Sequence, residues 1–194
     1  MDDAGSVVGG LSGTIGTLIA ARAMGSSIAD IERATGLNAS SLYNTFGSKE
    51  ALFHRALARY EGARLRTIVD LLATGAGGLD DVHRALELQQ AECDSEWGVQ
   101  GCLAINAMIE LGPRAADAKE QLADYRSRLG DAIRMPLDRA VALGEISATR
   151  VPSAVALLLS LTLAVGVLMR SGATHAELAR HFEAAHAAVE SWRL

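Results

Sequence analysis

The chain has little of what marks a metalloprotein, a disulfide-stapled domain or a sheet protein. It holds only two cysteines in 194 residues, Cys93 and Cys102. Their separation suits neither a zinc knuckle nor a redox pair, so both are expected to be reduced thiols of a cytoplasmic protein. Prolines number three and aromatic residues make up 4%. No period-two alternation of β-branched and aromatic residues runs long enough to argue for a sheet. Positive charge is scarce too: 18 Lys and Arg stand against 23 Asp and Glu, a net charge of −5. Bulk charge therefore does not make this chain a nucleic-acid binder. Asp2 and Asp3 occupy the place where a secretory signal would be basic, so none is expected. No nucleophile elbow, phosphate-cradling glycine loop or paired-carboxylate site occurs. Catalytic residues, cofactors and metal ligands are accordingly expected to be none, and the chain is not expected to be an enzyme. His175, His181 and His186 lack the i, i+4 spacing that favours a metal and are expected to be solvated.

What is present is alanine- and leucine-rich and about half apolar, which favours an all-helical protein. The richest segment is Ser26 to Lys49. Ser27 can cap a first helix, with Asp30 three residues on completing a weak capping box. Ile28, Ile31 and Ala34 share one face, and Gly36 is suited to the left-handed conformation that ends a helix. Leu37 plugs the turn and Asn38 caps the next helix. There Ala39, Leu42 and Phe46 face inward, while Ser40, Tyr43 and Asn44 face outward with Ser41 at the edge. Gly47 closes that helix, and Ser48 caps a third that begins at Lys49. Four polar groups on one face would be costly to bury without partners. Short hydroxyls, an amide and a phenol are instead groups that reach phosphates and base edges in a major groove. The layout is that of a helix-turn-helix.

The strings Ser27-Ile28-Ala29-Asp30-Ile31, Thr35-Gly36-Leu37-Asn38 and Leu42-Tyr43-Asn44-Thr45-Phe46-Gly47-Ser48-Lys49-Glu50-Ala51-Leu52 resemble the DNA-binding signature of TetR/AcrR-type regulators. The resemblance implies an all-α protein with a three-helix helix-turn-helix domain over residues 1–60 and a helical ligand-binding and dimerisation domain over 61–194. It implies a dimeric, cytoplasmic, one-component transcriptional regulator, usually a repressor, that binds palindromic double-stranded DNA and is released by a small-molecule effector. Tyr43 and Lys49 match its phosphate contacts, and Ser40, Ser41 and Asn44 its groove-facing positions. Ser27, at a helix N-terminus, could offer its amide and hydroxyl to a phosphate.

Beyond the head, helices are expected from Ser48 into the low seventies, from Leu79, from about Cys102 to Leu111, from Ala115 to Leu143 with a kink at Pro136, over Pro152–Met169 and over Thr174–Trp192. Gly101-Cys102-Leu103 to Glu110-Leu111-Gly112, and Gly166 to Ala173, resemble the C-terminal domain of the same family. Trp97, Cys102, Asn106, Met108, Glu110, Tyr125 and Met135 are candidates to line an effector pocket, which needs apolar walls and a few placed polar groups. Val151 to Met169 carries no charge and is long enough to span a bilayer. A helix buried between two protomers accounts for it without a membrane, and the resemblance implies a homodimer through the last two helices.

The stretch Gly9 to Ala23 departs from the family pattern. It has no phenylalanine, no basic residue before Arg22, and several glycines that each cost about 1 kcal/mol in a helix interior. The positive charges of residues 1–60 also only balance the negative ones. These features motivate an alternative: a helical ligand- or partner-binding dimer with impaired DNA binding.

Overall fold

A computed structural model describes residues 27–93, 102–111 and 116–194. The atypical stretch 9–23 and Trp97 lie outside the described residues. Among those described, the regular structure is helical: α1 Ile28–Thr35, α2 Ala39–Phe46, α3 Lys49–Ala73, α4 Leu79–Cys93, α5 Leu103–Leu111, α6 Ala116–Ala142, a 3₁₀ turn Ala148–Arg150, α7 Val151–Arg170 and α8 His175–Glu190.

The helix ends follow local chemistry. Ser27 and Asp30 form a reciprocal capping box at α1, and Gly36 closes it with φ of 70°. The Asn38 side chain accepts from the Ser41 amide at the start of α2, and the Ser48 hydroxyl accepts from Ala51 at the start of α3. Thr174 and Glu177 repeat the capping box at α8. Hydrogen bonds from Thr174 depress the Glu177 carboxyl below its usual range. Helix α6 runs through Pro136 and ends at Gly144, where φ is 74°.

The chain divides into two compact units. One comprises residues up to Ala63 together with Cys102–Leu122; the other comprises Arg64–Gly101 and Ala123–Leu194. The division thus groups Cys102–Leu122 with the head, not with the helices that follow in the chain. In the first unit Ile31, Leu42, Phe46 and Leu52 form a buried cluster, with Ile28 and Leu37 packed against it. Three polar contacts link α3 to Cys102, just before α5, and to the first turns of α6. The Tyr60 hydroxyl donates to Cys102 Sγ at 3.4 Å, His54 Nδ1 lies 3.3 Å from Gln121 Oε1, and Gln121 Nε2 donates to Glu61 Oε2 at 2.8 Å.

The second unit is built around a larger core that includes Leu79, Val82, Leu86, Leu137, Ile146, Leu158, Phe182 and Val189. Glu145 ties its ends together: Oε2 accepts from the Leu79 amide at 2.7 Å, and its carbonyl accepts from the Leu194 amide at 2.9 Å. A Cβ at buried Gly78 would collide with the Ala140 backbone and the Glu145 carboxylate, so the approach to α4 requires glycine there. Arg139 pairs with Asp81 at 2.9 Å and donates to the Leu72 carbonyl, holding the end of α3 against α4 and α6.

Helix α7 is apolar well beyond what the chain itself covers. The stretch Ala148–Arg170 is long and apolar enough to cross a membrane by length and composition, and only 28% of its apolar window is buried. Its uncovered side runs through Ser153, Leu157, Ser160, Ala164 and Val167, at the three- and four-residue steps of a single helix face.

Candidate nucleic-acid interface

Helix α2 is anchored by two buried side chains and presents the rest. Leu42 is 3% exposed and Phe46 8%. Ser40, Ser41, Tyr43 and Asn44 are all exposed, Tyr43 by 46%. One helix therefore brings four of the sequence-derived candidates onto one accessible surface. Thr45 is exposed beside them and extends the set of hydroxyls that sequence reasoning singled out. Lys49, half-buried, opens α3 just past the C-terminus of α2.

The N-terminus of α2 is held by α1 as well as by its own cap. A Glu32 carboxylate oxygen accepts from the Ala39 amide, while Asn38 accepts from Ser41. Two donors that every helix start leaves open are thus satisfied, and the acceptor from α1 fixes how α2 enters the turn. The Arg55 guanidinium sits 5.6 Å above the Phe46 ring, a cation–π contact that braces the C-terminal end of the same helix.

Ser27 differs from the other candidates. Its amide donates to Asp30 Oδ2 at 2.9 Å and its hydroxyl donates to the same oxygen at 2.6 Å. These hydrogen bonds, the Ser27 hydroxyl's first, hold the Asp30 carboxyl below its usual range, aided by Arg33. A phosphate approaching Ser27 would have to displace a carboxylate from both groups. The α2 candidates carry no such competitor on their exposed side chains among the contacts that the described residues make.

The effector candidates fall in different places. Cys102 just precedes α5, and Asn106, Met108 and Glu110 lie on it, in the unit that contains the head. Asn106 is buried, and Cys102, Met108 and Glu110 are half-buried. Tyr125 and Met135 lie on α6 in the second unit, Tyr125 buried and Met135 half-buried. The second unit has its own small recess of about 50 Å³, partly open to solvent. Leu72, Val82, Leu86, Ile133, Pro136 and Leu158 wall it, and Gln89 and Thr162 supply its polar groups. The Thr162 hydroxyl donates to the Leu158 carbonyl at 3.0 Å and lies 3.4 Å from Gln89 Oε1. None of the six described candidates is among its walls, which come from four helices whose meeting no local pattern announces.

One histidine expectation is corrected. His175 and His181 are exposed, but His186 is half-buried against His83. Among the described residues, no group of three or more His, Cys, Asp or Glu is arranged to hold a metal ion.

Residues 17–56 match the model of the bacterial regulatory proteins of the tetR family. The match begins inside the atypical stretch and covers all the helix-turn-helix candidates. Over 95 residues the chain is 28% identical to the HTH-type transcriptional repressor BdcR of Escherichia coli (strain K12), covering 49% of this chain. The match spans about half of that relative, 48% of its length. A cysteine mutant of the TetR family transcriptional regulator CifR, solved with 26-bp double-strand operator DNA, superposes with a TM-score of 0.81 at 25% identity. That superposition covers 92% of this chain and 94% of the other. A TetR transcriptional regulator from Chloroflexus aurantiacus J-10-FL shares the fold with a TM-score of 0.86 at 19% identity, covering 98% and 96%. The chain thus matches the tetR family model in its recognition segment, and the helical fold of its described residues is that of solved TetR regulators.

Proposed function

We propose that the protein is a dimeric one-component transcriptional regulator, acting as a repressor in the cytoplasm, that binds palindromic double-stranded DNA through α2 and releases it on binding a small effector. The observation that carries this reading is the single accessible face of Ser40, Ser41, Tyr43 and Asn44 on a helix whose other face is locked into a core. Two such heads would enter successive major grooves about 34–36 Å apart. Tyr43 and Lys49 would contact phosphates, Asn44 and the serines base edges, and Ser27 a flanking phosphate only by displacing Asp30. The likeness to a regulator solved with operator DNA supports the same reading.

The uncovered apolar side of α7 supports a homodimer in which α7 and α8 pack against their copies, and it needs no membrane. An effector that is small, largely apolar and able to exchange one or two hydrogen bonds would suit the recess with Gln89 and Thr162, or the α5 candidates Cys102, Asn106, Met108 and Glu110 within the first unit. Control of this kind is a difference in ligand affinity between two states and requires no chemical turnover. In domain terms, residues 1–60 would read DNA and 61–194 would bind the effector and dimerise.

A second reading, a ligand- or partner-binding dimer with impaired DNA binding, is motivated by the neutral head and by the residues 9–23 that lack the family's basic pattern. Salt separates the two. Fluorescence anisotropy on duplexes recovered from host genomic DNA should show tight binding whose logarithm falls steeply and linearly with the logarithm of salt. Binding no tighter than to scrambled duplexes at every salt concentration would favour the second reading.

A further inference from the structure

The contact between α4 and α8 holds two histidines face to face. Nδ1 of His83 and Nδ1 of His186 lie 2.6 Å apart. The rings are within 6° of parallel with centroids 4.9 Å apart. Both residues are half-buried. Nitrogens this close hold one proton between them, one ring donating and the other accepting, because two imidazolium rings would set two N–H donors and two positive charges against each other.

The surrounding charges fall into two groups. From α4, Glu87 acts on His186 and favours its charged form. From α8, the Glu190 carboxylate lies 3.5 Å from His83 Nε2. Arg193, after α8, holds Glu190 at 2.8 Å and reaches Asp80 on α4 at 3.8 Å and Glu145, after α6, at 3.6 Å. Glu190 thus sets a negative charge on the His83 side of the pair. Burial, and then the neighbouring His83, push His186 below the ordinary histidine range, against the weaker pull of Glu87.

We propose that His83 and His186 form a proton-sensitive joint between α4 and α8, closed while the pair carries at most one positive charge and forced apart by a second. The joint is placed to matter, since α4 carries Val82, Leu86 and Gln89 of the recess wall and α8 supplies Leu178, Phe182 and Val189 to the core. Its effect has a defined direction. Above the unfolded value of about 6.5, His186 is neutral in both states and the joint contributes fully. As pH falls through that value toward the lower folded one, the unfolded chain takes up a proton that the folded pair refuses, and stability is lost.

The test is a proton NMR titration of the imidazole Cε1–H resonances of the full chain from pH 8 to 5, paired with urea unfolding at pH 7.5 and 5.5. Single His→Gln variants assign the five histidines. The expected result is a His186 midpoint below that of exposed His175 and His181, rising toward them in His83→Gln. The fall in urea midpoint between the two pH values should shrink in the same variant. An unchanged His186 midpoint in His83→Gln would overturn the proposal. Should that variant not fold, the wild-type titration decides alone: His83 and His186 both titrating as independent sites at the midpoint of His175 would overturn it equally.

Discussion

At the scale of single residues, the head works by contrast between what each side chain gives to the fold and what it keeps for a partner. Leu42 and Phe46 are spent on the core. Asn38, Glu32 and Ser27 are spent on caps. Tyr43, Asn44 and the serines of α2 remain available on the surface. In a head whose formal charge is near zero, each cation that reaches a phosphate matters more than in a basic one. Lys49→Ala should therefore weaken operator binding by a similar factor on every sequence and lower the salt slope by about 1, as read by anisotropy across a salt series. An unchanged slope would show that Lys49 neutralises no phosphate. This residue-level division was largely legible in the sequence, because caps act over three residues and an eight-residue helix has only one way to hide two large apolar side chains. The commitment of Ser27 to Asp30 was legible only in half: the capping box could be read, but not that one carboxylate oxygen would take both the amide and the hydroxyl.

At the scale of elements, the ends of the helices agree closely with sequence expectation. The expected stop in Thr74–Gly78 is followed by α4 at Leu79, and Gly144 ends α6 with a positive φ. Leu122, Tyr125 and Leu129 are buried on the apolar side read for α6, with Ile133 half-buried. What periodicity does not carry is which helix meets which. The pairing of His83 with His186 joins residues 103 apart, and the recess draws on α3, α4, α6 and α7 together. The effector candidates read within single helices and the walls of this recess are therefore different residues among those described. Gly78 is another such case: in sequence it is one glycine of a turn, whereas in the fold it is the point where α4 begins hard against Ala140. Gly78→Ala should cost about 1–3 kcal/mol through overpacking, seen as a lower urea midpoint with unchanged slope. A midpoint equal to wild type would mean that the approach of α4 to Ala140 is loose.

At the scale of the whole molecule, the apolar helix α7 bears on assembly. Helix α7 has more apolar surface than its own chain covers, and the small residues Ser153, Ser160 and Ala164 on its open side allow a second helix to approach closely. A charge introduced there should prevent assembly without disturbing the core. Leu157, 50% exposed, is the position for it. Leu157→Glu should convert a dimer into folded monomer in sedimentation equilibrium, and a dimer of undiminished strength would place the interface elsewhere. The account rests most heavily on α2 reading DNA as one half of a symmetric pair. Selection of bound duplexes from a random pool, run in parallel with wild type and Tyr43→Ala, tests that claim most directly. The account predicts enrichment of an inverted repeat with half-sites about one helical turn apart, lost or strongly reduced in the variant. No enriched sequence from a folded wild-type dimer, or the same repeat recovered equally by Tyr43→Ala, would contradict it.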